Sequence, residues 1–178
     1  MRLFISLNFK DEVKTQIKDV MNKVKSNSIQ GKFVNDEHLH LTVEFLGEIQ
    51  SNRLDLIKKI MDELVFEAFT LNLTKVGYFK RQEGNIYWLG VEENDTLFKI
   101  HKKLHQNLID KGFELEGREY KPYITIGRKV KLRDDFNANE LNDMVGKVKI
   151  DINRVDLMKS EFVNGKLIYS LIYSRQLF

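Results

Sequence analysis

KPYITIG, residues 121–127, contains the one proline of the chain and then alternates polar and apolar side chains strictly. EHLHLTVEFLG, residues 37–47, has nearly the same grammar, with a histidine where the later stretch has Tyr123. Successive side chains of a strand point to opposite faces. His38, His40, Thr42 and Glu44 are therefore expected on one face, and Leu39, Leu41, Val43 and Phe45 on the other, which reads as core. In the later stretch Tyr123 and Thr125 share a face, while Ile124 and Ile126 take the core side. Each strand thus presents a ring and, two positions on, a threonine. The two rings lie 83 residues apart (123 minus 40) in a chain of 178, which is the spacing of a duplicated half-unit.

Outward from these strands the periods alternate. Arg2 to Leu7 reads as a strand, and Val13, Ile17, Val20 and Val24 recur at helical spacing. Ser51 is the expected N-cap of a helix striped by Leu54, Ile57, Met61 and Leu64. Residues 69–79 and 86–91 read as a hairpin joined through RQEGN. Asp95 is expected to cap a helix carrying Leu97, Ile100, Leu104 and Leu108, stopped by Gly112. A short helix near 139–145 precedes strands around 147–158 and 166–176, turned at Asn164 and Gly165. Strands are often adjacent in this order, which predicts an α+β fold with antiparallel sheets rather than a doubly wound parallel one. No Pro/Gly/Ser-rich linker divides the chain, so one domain spanning residues 1–178 is expected.

Composition bounds the function. With 42% hydrophobic and 31% charged residues the chain can bury a sizeable core. No stretch approaches the ~18 apolar residues of a membrane span, and the apolar run in MRLFISLNFK is too short for a signal peptide. Cysteine is absent, which removes disulfides and thiolate metal sites and fits a reducing compartment. A cytoplasmic monomer is the expectation. A net charge of +3 demands no nucleic-acid partner through a whole-molecule field. Basic surface is local, as at Arg128, Lys129, Lys131 and Arg133.

The paired strands suit one kind of chemistry. Strand residues two apart lie ~7 Å apart on one face, so a ring and a hydroxyl of one strand can contact a single phosphate. Two such strands across a groove can grip a phosphodiester from both sides, one ring activating water and the other protonating the leaving oxygen, with threonine hydroxyls on the non-bridging oxygens. Neither metal nor cofactor is required. His101 and His105 have the i, i+4 spacing of a zinc site, but Lys102 stands where a His-Glu-x-x-His motif has its glutamate, and they read as ordinary helix-surface histidines.

At these residues the sequence resembles the 2H phosphoesterase superfamily, and within it the RNA 2',3'-cyclic phosphodiesterases long labelled 2'-5' RNA ligases. The family signature is two His-x-Thr-x motifs. They are matched here by His40-Leu41-Thr42-Val43 within HLHLTVEFLGE and by Tyr123-Ile124-Thr125-Ile126 within KPYITIGR. RLFISLNF, VGYFKRQEGNIYWLGV and GFELEGREYKPYITIGR are similar to the family's first strand, central hairpin and approach to the second motif, so the resemblance runs along the whole chain. It implies a bilobal, pseudo-duplicated α+β fold in which two antiparallel sheets flank a central groove, with helices outside. It also implies metal-free hydrolysis of 2',3'-cyclic RNA ends or nucleotides to 2'-phosphates, with weak 2'-5' ligation as the reverse.

The departure is Tyr123, which replaces the second motif's histidine. In the family scheme the first histidine, His40, protonates the leaving 3'-oxygen and the second activates water; Thr42 and Thr125 keep their places. A phenol with an ordinary pKa of ~10 donates a hydrogen bond but accepts a proton poorly at pH 7, and losing a general base costs ~10²–10⁴ in rate. Two readings follow: a phosphodiesterase slowed at this step, or an impaired member that binds nucleotides or RNA ends. Arg128 ends the second motif as in the family, where it looks like an aid to substrate binding, although strict alternation sets it opposite Thr125 unless the strand bends. Arg118 is a second candidate for substrate binding. Phe45, Tyr78, Phe79 and Trp88 are candidates to stack a base.

Overall fold

The computed structural model describes residues 1–178. In chain order the elements are β1 (Arg2–Asn8), α1 (Asp11–Ser26), β2 (Ser28–Phe33), β3 (His40–Glu48), α2 (Leu54–Asp62), β4 (Phe69–Phe79), β5 (Asn85–Val91), α3 (Asp95–Asp110), β6 (Tyr123–Leu132), α4 (Asn142–Val145), β7 (Lys149–Ile152), β8 (Arg154–Val163) and β9 (Lys166–Gln176). Every strand pairing is antiparallel. The strands form a four-stranded sheet in the order β3-β1-β8-β9 and a five-stranded sheet in the order β2-β6-β5-β4-β7. This is the expected α+β architecture, with one motif strand in each sheet. The likeness of the two halves is local, since β3 is an edge strand whereas β6 is flanked by β2 and β5. No helix is long and apolar enough to cross a membrane.

The apolar sides of the motif strands hold them in place. Leu39, Leu41, Val43, Ile124 and Ile126 join one cluster of 38 buried residues that draws on both sheets and on the inner stripes of α1, α2 and α3. Fully burying such a side chain contributes about 1.5–3 kcal/mol. A one-residue slip would turn each motif face into the core, so this burial sets the register. Helix α3 is closed at both ends. Its N-cap is Asn94, one residue before the expected Asp95, because the Asn94 side chain accepts from the backbone N–H of Leu97 at 3.0 Å. At its C-terminus Gly112 has φ +84°, and the amides of Gly112 and Phe113 donate to the carbonyls of Ile109 and Leu108 in a Schellman arrangement.

Three local expectations are corrected, and one unannounced strand is added. Ser51 is the first residue of a 3₁₀ turn, Ser51–Arg53, that leads into α2 without a side-chain cap. His38 is not on the motif strand but ends a 3₁₀ turn, Asp36–His38. Strand β2 carries a mostly exposed SIQGKF with no apolar alternation to announce it; pairing with β6 makes it a strand. The third correction is the face pattern after each motif threonine. Ile5 pairs with Glu44 and Ser6 with Thr42, leaving Val43 as an extra residue. Trp88 pairs with Thr125 and Tyr87 with Gly127, leaving Ile126 extra. Each is a β-bulge, which reverses side-chain parity beyond it. Glu44 therefore becomes buried at 8% exposure, and Phe45, expected in the core, is 66% exposed.

Candidate active site

The two sheets enclose a groove of about 1220 Å³ whose lining includes His40, Thr42, Tyr123, Thr125 and Arg128. His40 begins β3, where the turn that ends at His38 brings a carbonyl under its ring. Its Nδ1 lies 2.7 Å from the His38 carbonyl oxygen and its Nε2 lies 3.0 Å from Thr42 Oγ1. A carbonyl can only accept, so Nδ1 carries the proton and the Nε2 lone pair accepts from the threonine hydroxyl. Burial lowers the His40 pKa below its ordinary 6.5, with the charge of His38 adding to the effect and the bond to the His38 carbonyl opposing it. At neutral pH the ring is uncharged and its free nitrogen is a proton acceptor.

Rings pack the imidazole from two sides. Phe4 lies 5.1 Å away and Tyr169 meets it edge-on at 5.6 Å, while Tyr169 also packs on Phe4 and His38. Burial raises the Tyr169 pKa, so its hydroxyl stays protonated; the charges of Arg128 and Arg2 oppose the shift. Nothing in IYSLIYS distinguishes Tyr169 from Tyr173, and only the sheet order brings the former to the site. In the other wall Tyr123 begins β6, its ring edge-on to Phe79 at 5.2 Å and 6.0 Å from Trp88. The bulge after Thr125 turns Arg128 onto the groove face, resolving the alternation that had set it opposite. Arg118 sits on the rim with its side chain 82% exposed and paired with Glu116 at 3.0 Å. Of the stacking candidates, Phe45 and Phe79 line the groove, whereas Tyr78 packs on Tyr87 and Trp88 lies behind Tyr123 and across Gly77.

A second cluster adjoins the first. His101 and His105 are not ordinary surface histidines: their side chains are 16% and 22% exposed and both face Glu44. Glu44 Oε2 lies 2.7 Å from His105 Nδ1 and 3.4 Å from His101 Nε2. The three side chains offer donor atoms within 4.8 Å of one another. The bulge after Thr42 buries Glu44 against α3 while it still borders the groove. Tyr120 stacks on His101 with 4.0 Å between centroids and an interplanar angle of 7°. Its hydroxyl donates to the Thr42 carbonyl at 3.0 Å, and burial drives its pKa far above the usual phenol value, helped by the charge of Glu44.

Comparison with known proteins agrees with this geometry. Residues 9–163 match the model of the 2'-5' RNA ligase superfamily. The chain is 31% identical to an RNA 2',3'-cyclic phosphodiesterase of Thermotoga maritima, covering 99% of this chain and 95% of that protein. It is 32% identical to one from Methanocaldococcus jannaschii, covering 97% and 98%. Among solved structures it superposes on E. coli LigT complexed with 3'-AMP with a TM-score of 0.83 at 23% identity, over 99% of this chain and 97% of that one. A Thermus thermophilus structure gives 0.82 at 21% identity, over 99% and 97%. With two antiparallel sheets, a threonine-marked strand in each and a match along nearly its whole length, the chain belongs to the 2'-5' RNA ligase superfamily.

Proposed function

We propose that the protein opens 2',3'-cyclic phosphates at RNA ends to 2'-phosphates, with His40 as proton acceptor and Tyr123 as proton donor. The observation that carries this is the His40 ring, neutral, with Nε2 free to accept and Nδ1 tied to a carbonyl, on a groove that Tyr123 also lines. Relative to the family scheme the two roles are exchanged. Water displaces the Thr42 hydroxyl from Nε2 and gives its proton there as its oxygen bonds to phosphorus. The bond from phosphorus to the 3'-oxygen breaks, and the phenol of Tyr123 donates its proton to that oxygen. The imidazolium then returns a proton to the phenolate through solvent, which restores both groups. Thr42, released from Nε2, and Thr125 donate to the non-bridging oxygens. A ribose hydroxyl in place of water gives 2'-5' ligation through the same groups.

Three hydroxyls and one imidazole do not form a metal donor set, and the scheme uses these protein groups alone. The test is an RNA oligonucleotide with a 2',3'-cyclic end, incubated with the protein in EDTA. Conversion to a 2'-phosphate is expected, and His40→Ala should slow it by about 10²-fold or more. Retained binding without turnover would replace this reading with that of a nucleotide- or RNA-end-binding member.

A further inference from the structure

We propose that Glu44, His101 and His105 form a binding site for a zinc-class divalent transition ion, distinct from the reacting groups of the groove. Two imidazoles and a carboxylate are a donor set that suits zinc, cobalt or nickel and not magnesium or calcium, which prefer all-oxygen shells. The spacing is close to what such an ion needs. Tetrahedral bonds of ~2.0–2.1 Å hold ligand atoms about 3.3 Å apart. Glu44 Oε2 and His101 Nε2 already stand at 3.4 Å, the 2.7 Å hydrogen bond from His105 Nδ1 would have to open by about 0.6 Å, and all the donor atoms lie within 4.8 Å of one another.

The donors are preorganised by their surroundings. The i, i+4 spacing on α3 aims both rings at one point, 5.4 Å apart between centroids, and the stacked Tyr120 holds the plane of His101. Glu44 is carried inward by the bulge of β3 and pairs with no lysine or arginine, so a cation would supply the charge that this buried carboxylate lacks. Glu44 and His101 line the groove whereas His105 does not, which leaves the fourth position on the groove side for water. An ion here would tie β3 to α3. Because the hydroxyl of Tyr120 rests on the Thr42 carbonyl, the tie would steady the strand that carries His40 and Thr42. None of its three donors is a proton-transfer group of the scheme above, so the proposal stands independently of that reaction.

The experiment is titration of the full chain, first stripped by a chelator and dialysed free of it, with Zn²⁺ by calorimetry and with Co²⁺ by visible spectroscopy. One equivalent of Zn²⁺ should bind in the micromolar range or tighter, Co²⁺ should give the absorption of a four- or five-coordinate ion, and Tm should rise with added Zn²⁺. Millimolar Mg²⁺ should do none of this. Glu44→Gln and His105→Gln should each weaken Zn²⁺ by about 100-fold or more, while His38→Ala leaves the affinity unchanged. No saturable binding, or undiminished affinity in His105→Gln, would overturn the site and leave the cluster as a hydrogen-bonded clamp between helix and strand. Should the variants fail to fold, the anomalous-scattering peak in zinc-soaked wild-type crystals decides. A peak between the three side chains supports the proposal, and a peak elsewhere, or none, overturns it.

Discussion

His40 sets the sign of the pH dependence. Its pKa is lowered in the fold, so the unfolded chain binds the extra proton more readily around pH 6, and this contribution to stability is present above about 6.5 and lost as the pH falls. As proton acceptor the ring is active when neutral, so kcat/KM should fall on the acid side with an apparent pKa below 6.5 and stay level through neutral pH. An acid role would give the opposite slope, with activity falling as the pH rises through the same value. Tyr123→Phe separates the two assignments again. Removing the donor should cost about 10²-fold or more in kcat. If position 123 instead held the acceptor for water, Tyr123→Phe would change little and Tyr123→His would raise the rate by a similar factor. At this scale period-two alternation correctly puts His40 on one face with Thr42 and Tyr123 on one face with Thr125, because each pair precedes the bulge in its own strand.

At the scale of the element, the bulges decide which side chains serve the groove. The one after Thr125 turns Arg128 inward, where its guanidinium can pair with a phosphate, so Arg128→Ala should raise KM about 10-fold or more through loss of a charge-assisted hydrogen bond. An unchanged KM would place Arg128 outside substrate contact. The hairpin between β4 and β5 depends on Gly84. It has φ +124°, and a Cβ there would stand 2.5 Å from the backbone carbon of Lys129 on the neighbouring β6. Backbone cannot yield as a flexible side chain does. Gly84→Ala should lower unfolding stability by about 1–3 kcal/mol in urea titrations, and a loss under 0.5 kcal/mol would show that the turn can shift.

Across the whole molecule, the first sheet is tied by one buried carboxylate. Asp156 on β8 is fully buried and accepts from Asn8 of β1 at 2.7 Å and from Ser174 of β9, with Arg154 at 3.2 Å. Asp156→Ala would leave these groups without their acceptor and should cost about 3 kcal/mol or more in chemical denaturation; a cost below 1 kcal/mol would mean water replaces the carboxylate. Asn8 pairs in register with His40, so this tie also anchors the end of the motif strand. The sequence by itself determined the periods of the helices and of most strands, the antiparallel α+β class, the glycine stop of α3 and the two ring-and-threonine pairs, because each is written in the spacing of neighbouring residues; the single strand expected around 147–158 is instead two strands, β7 and β8, in different sheets. Tertiary structure alone decided that Glu44 turns inward and Phe45 outward, that β2 is a strand, that Tyr169 packs on His40, and that Glu44 meets His101 and His105. Those outcomes rest on partners far away in the chain: a bulge arises from the register of the facing strand, and side chains 57 and 61 residues beyond Glu44 (101 minus 44, 105 minus 44) meet it only once α3 has packed against β3.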